Sequence, residues 1–134
     1  MTRYPTAVIF ITASVWSTFA VWLGLNPHAL LTAFGMETST PAMLTEIRAF
    51  YGGVEIAIAV SMIVLWFRGE LFASLLIGGL PLAGSSAART LGVIVDGFSS
   101  LHAGLAAVEF MGALLCTIGC GIILKREKAA TPPD

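Results

Sequence analysis

Apolar residues fill four long stretches of the chain, roughly 6–25, 42–67, 71–95 and 101–124, separated by short breaks where proline, glycine and charge gather. Each stretch supplies the roughly 20 residues a helix needs to cross about 30 Å of hydrocarbon. Helices are the open-chain solution in lipid because each satisfies its own backbone hydrogen bonds. The pattern predicts an all-α integral membrane protein, a four-helix transmembrane bundle forming one domain over 1–128, followed by a disordered tail over 129–134.

The breaks carry their own chemistry. Asn26-Pro27 stops the first helix, since proline cannot continue it and restricts the residue before it. Thr40-Pro41 reads as an N-cap followed by proline at the first helical position. Asp96-Gly97 is a turn signal, and Ser99 and Ser100 offer caps to the last helix. Residues 28–35, apolar on one side, read as an interfacial loop, with a lid or re-entrant turn as the alternative.

Composition agrees with the pattern. The 134 residues are 57% hydrophobic and only 11% charged, against about 25% charged in a soluble domain. Arg3 ahead of an apolar run weakly imitates a signal peptide, but the run is long and no A-x-A site follows it. Arg3, Arg68, Lys125, Arg126 and Lys128 fall on one side if the helices alternate, whereas 26–41 and 97–100 contain no Lys or Arg. The positive-inside rule then puts both termini in the cytoplasm. With a net charge of -1 and its basic residues marking topology, the chain gives no sign of nucleic-acid binding. Cys116 and Cys120 have no second ligand pair for a metal and read as small apolar residues packed between helices.

Charge inside the apolar stretches changes the picture. An ionisable group near the bilayer centre costs about 2.5 to 3.5 kcal/mol on insertion scales, so its presence calls for a partner or a task. Three helices each carry two such residues seven apart: Arg48 and Glu55, Arg89 and Asp96, His102 and Glu109. On an α-helix that spacing is close to two turns, so the members of each pair point the same way about 10 Å apart.

A hairpin folded about Ser99 sets Arg89 opposite Glu109 and Asp96 opposite His102. One folded about Phe72 sets Glu55 opposite Arg89 and Arg48 opposite Asp96, with a looser fit to the turn. Two polar layers result: Arg48, Asp96 and His102 near the outer interface, beside Glu46, and Glu55, Arg89 and Glu109 about two turns deeper. Arg89 can neutralise only one of the two glutamates. The other holds a proton, or a cation or polar ligand fills the gap; alternatively the charges simply bind the helices together.

The elements Arg48-Ala-Phe-Tyr-Gly-Gly53, Ala88-Arg89 with Gly92, Asp96-Gly97 and Glu109 resemble a family of small bacterial four-helix membrane proteins known as domain of unknown function 4345, and more loosely the DoxX-like membrane proteins. The resemblance implies four helices and one polar site in the bacterial inner membrane. It supplies no reaction and no cofactor.

The residues themselves point to a small polar or amphipathic ligand in an outward-facing pocket between the second, third and fourth spans. Arg48, Tyr51, Arg89, Asp96 and His102 are the candidate binding residues, and Glu55 and Glu109 the candidate proton carriers, serving transport or an intramembrane isomerase. An accessory subunit packed on a membrane partner through Gly112, Gly119 and Gly121 is the alternative, with haem on His102 a remote third. Besides the lipid bilayer and a small molecule, a homo-oligomer is a possible partner.

Overall fold

The computed structural model describes residues 3–130, which form α1 (Arg3–Leu25), α2 (Pro27–Ala33), α3 (Pro41–Ile47), a π-helical segment (Arg48–Val54), α4 (Glu55–Phe67), α5 (Leu71–Val95) and α6 (Ser100–Ala130). No strand occurs among the described residues. Four helical runs are long and apolar enough to cross a membrane: Arg3–Leu25, Pro41–Phe67, Leu71–Val95 and Ser100–Ala130. The chain is thus an all-α, four-span bundle. Within the tail expected over 129–134, residues 129 and 130 are helical, continuing a run of good helix formers, and 131–134 lie outside the described residues.

Local signals set the element ends. Thr40 accepts a hydrogen bond from the Met43 amide at 3.3 Å. Ser99 accepts one from the His102 amide at 3.5 Å. Both hairpin turns use a glycine at positive φ, Gly69 at 79° and Gly97 at 115°, which a side chain would strain. The stretch after Pro27 is a short helix rather than a loop. Proline presets its first turn, and Pro27 and Leu31 bury themselves against the bundle.

Small residues decide how closely the spans approach, as they must where lipid tails remove most of the hydrophobic drive. Val8, Ile9 and Ala13 of α1 meet Ala59 and Met62 of α4, Leu75 of α5, and Cys116 and Cys120 of α6 in one core. A Cβ on Gly79 would sit 2.6 Å from the Cβ of Cys116, and one on Gly52 would sit 3.2 Å from the Cα of Gly24. Both cysteines are free thiols serving as small core residues. Gly112 and Gly119 receive Leu82 and Leu75 of the same chain.

These contacts fix the registers. Leu82 against Gly112 and Leu75 against Gly119 fold the α5–α6 hairpin about Gly97 rather than Ser99. Met62 packs on Gly78, and its carbonyl accepts from Ser74 Oγ at 2.8 Å, which folds α4–α5 close to Gly69 rather than Phe72.

Pro81 lies inside α5 and removes one backbone donor from the turn beginning near Ile77. In that turn the Gly78 carbonyl accepts a hydrogen bond from Trp16 Nε1 of α1 at 3.3 Å. Replacing Trp16 by phenylalanine removes this interhelical bond, an expected loss of about 0.6 kcal/mol, the average for hydrogen bonds between membrane helices. Thermal unfolding in detergent reads this directly, and an unchanged midpoint would deny the indole that role.

Candidate functional site

α5 and α6 pack along their whole length and bring Arg89 against Glu109. Arg89 Nε donates to both carboxylate oxygens, at 3.0 and 3.1 Å, with side-chain exposures of 19% and 16%. Ser85, one turn from Arg89 on the same face of α5, donates to Glu109 Oε1 at 2.8 Å. Glu109 is therefore well satisfied. The remaining N–H donors of the Arg89 guanidinium bond to no described residue.

Those donors border a cleft of about 530 Å³, whose lining includes Trp16, Glu46, Tyr51, Glu55, Pro81, Ser85 and Arg89. Of the residues the sequence placed in the deeper layer, Glu55 and Arg89 share this cleft, and Glu109 stands behind Arg89 as its counter-ion. Glu55 lies close enough to feel the charges of both. Its Oε2 is shut off from solvent and has no hydrogen-bond partner among the described residues. Tyr51 lies on the same wall, half-buried.

The cleft belongs to the first, second and third spans rather than the second, third and fourth. α6 contributes through Glu109 alone. Two members of the site were not singled out in the sequence, Ser85 and Trp16. Only the register of α5 against α6 and α1 assigns them.

Arg48 does not join the outer layer. It is exposed, lines neither this cleft nor the one at Asp96 and His102, and makes no hydrogen bond or ion pair with a described residue. Two physical causes account for this. A seven-residue spacing aligns two side chains only on α-helical turns, but Arg48–Val54 is π-helical. Its wider turns, bonded i to i+5, rotate less per residue, so Arg48 and Glu55 leave a common face. The hairpin fold near Gly69 also sets Arg48 nearer the depth of Thr90 than that of Asp96.

Asp96 and His102 do come together. They line a second cleft of about 470 Å³ between the facing ends of α5 and α6, with Ser99, Gly92 and again Arg89 in its walls. His102 Nδ1 lies 3.0 Å from Ser99 Oγ, and its ring stacks on Phe34 at 5.3 Å and 23°. Phe34, just after α2, thereby covers His102 from outside. Arg89 is common to both clefts. Among the described residues no cluster of His, Cys, Asp and Glu could hold a metal ion.

A family model described as a domain of unknown function (DUF4345) matches residues 5–120. No curated protein and no solved structure matches the chain.

Proposed function

The chain belongs to the DUF4345 family, and on that footing we propose that it binds a small polar or amphipathic molecule in the cleft of α1, α4 and α5, with Glu55 carrying the proton exchanged there. One observation carries the proposal: Glu55, whose Oε2 is solvent-shielded and has no partner among the described residues, lines one cleft with Arg89, whose remaining donors are unused. A buried acceptor left unsatisfied costs about 1–3 kcal/mol, which an arriving donor removes. Glu109 already neutralises Arg89, so Glu55 can gain or lose a proton without breaking that pair.

A guanidinium that holds a carbonyl or anionic group beside a carboxyl that gives and takes a proton suits two outcomes, transport and intramembrane isomerisation. One turn beyond Ile58, Met62 packs with Ile9 and Leu75 in a core without exposure. That seal supports binding and chemistry from one side over a continuous path. The accessory-subunit alternative has lost part of its support, because Gly112 and Gly119 are filled from within the chain.

Arg3, Arg68 and the basic end of α6 lie at the end of the bundle away from the cleft. This supports cytoplasmic termini and a site in the outer half of the inner membrane.

Glu55→Gln tests the proposal with little change of shape. Native mass spectrometry of protein released from membranes should find a small molecule on the wild type that the variant, equally folded, has lost. The same mass on both, or no bound molecule on the wild type, would count against a ligand site at Glu55.

A further inference from the structure

We infer that the occupant of this cleft is an electrically neutral amphiphile that enters sideways from the bilayer, its head group offering a hydrogen-bond acceptor such as a carbonyl oxygen next to an O–H or N–H donor. The inference rests on the binding role proposed above and adds the chemistry of what binds.

Shape comes first. The cleft follows the bundle axis from Glu46 past Tyr51 and Glu55 to Ile58, facing Arg89, Ser85 and Pro81 of α5. Its polar groups therefore sit at the end nearer the Gly97 turn, and its deeper end is walled by Ile58, Pro81 and the Trp16 indole. A molecule aligned like a lipid, head toward Gly97 and chain toward Gly69, matches that gradient. The mouth carries Phe50 and Val54, 60% and 49% exposed on the outside of a membrane-spanning helix. At this depth the outside is hydrocarbon, so the entrance favours a chain or ring already dissolved there.

Charge then narrows the class. Arg89 and Glu109 form a neutral unit. With the carried proton on Glu55, the Arg89–Glu109 pair leaves no net charge beside it, and an anionic head entering past Glu46 would add a charge that nothing there offsets. A cationic head would face the free donors of Arg89. In a medium of low dielectric either mismatch is heavily penalised. A neutral head that accepts from the Arg89 guanidinium and donates to the Glu55 carboxyl answers both groups and adds no charge. A primary amide on an alkyl chain is the simplest such molecule.

Trp16 in the cleft wall supplies a reporter. In a Trp22→Phe/Trp66→Phe protein reconstituted in phosphatidylcholine nanodiscs, three bromine-tagged probes are compared: a fatty amide, the matching fatty acid anion and the matching alkyl quaternary ammonium. The amide should quench Trp16 saturably and bind about tenfold more tightly than either charged probe, and Glu55→Leu should weaken it by about tenfold. Helical content and unfolding midpoint verify that the leucine variant folds, as expected when an unpartnered polar group is replaced by an apolar one. Tighter or equal binding of a charged probe, still sensitive to Glu55→Leu, overturns the neutral head and leaves the site standing. Amide binding that ignores Glu55→Leu overturns the assigned contact. Absence of saturable quenching by all three removes both the inference and the binding role beneath it.

Discussion

Replacing Arg89 by glutamine is expected to lower the stability of the bundle by about 3 kcal/mol, the low end of the range for stripping one partner from a buried ion pair, because this pair is part-buried. The loss is electrostatic rather than a matter of hydrogen bonds, which between membrane helices average only about 0.6 kcal/mol. Glutamine can still donate to Glu109, but it leaves that carboxylate and Glu55 facing each other without a counter-charge. Glu55→Gln, which removes the surplus acid and keeps the Arg89–Glu109 pair, should cost far less. Unfolding in a denaturing detergent titration ranks the two. Equal tolerance of both substitutions would contradict the arrangement of the three groups. A cycle pairing Arg89→Glu with Glu109→Arg should recover more than about 1 kcal/mol over the sum of the single reversals, as expected for side chains in contact.

A methyl group at Gly79 should be nearly as damaging, by a different route. The new Cβ would lie 2.6 Å from the Cβ of Cys116, and neither atom can turn away because each is bonded directly to backbone. α5 and α6 must part, at an expected cost of about 1–3 kcal/mol for overpacking. Gly78→Ala looks worse by distance, with Met62 Sδ and Cε at 2.5 Å, yet its obstacle is the end of a flexible thioether that can move. The unfolding midpoint should therefore fall further for Gly79→Ala than for Gly78→Ala. Cys116→Gly in the same chain should restore part of the loss at Gly79 and none of the loss at Gly78. The reverse order would mean that the helices yield more readily than Met62.

Span number and approximate bounds were legible in the sequence because runs such as 71–95 are predominantly apolar and are bounded by Asn-Pro, Thr-Pro or Asp-Gly breaks. The meeting of Arg89 with Glu109 was legible too. A long arginine tolerates a register error of a residue or two, so a hairpin about Ser99 and one about Gly97 give the same partner. Arg48 exposes the limit of that method. Nothing in Arg-Ala-Phe-Tyr-Gly-Gly-Val announces a π turn in place of an α turn, and the Gly52 approach to Gly24 on α1 is a long-range contact that spacing cannot encode. Ser85 and Trp16 stayed hidden for a related reason, since each acquires its role only when a neighbouring span supplies the other half of the bond.

The bond from Trp16 to Gly78 has a bearing on how the molecule is made. Inserted alone, the span containing Pro81 would present a weakened carbonyl ladder to hydrocarbon, where no water can reach it. The indole that bonds the adjoining Gly78 carbonyl belongs to a span made earlier, so this partner already waits in the bilayer when the span with Pro81 arrives. Order of synthesis and order of need thus coincide for the turn that leads into Pro81.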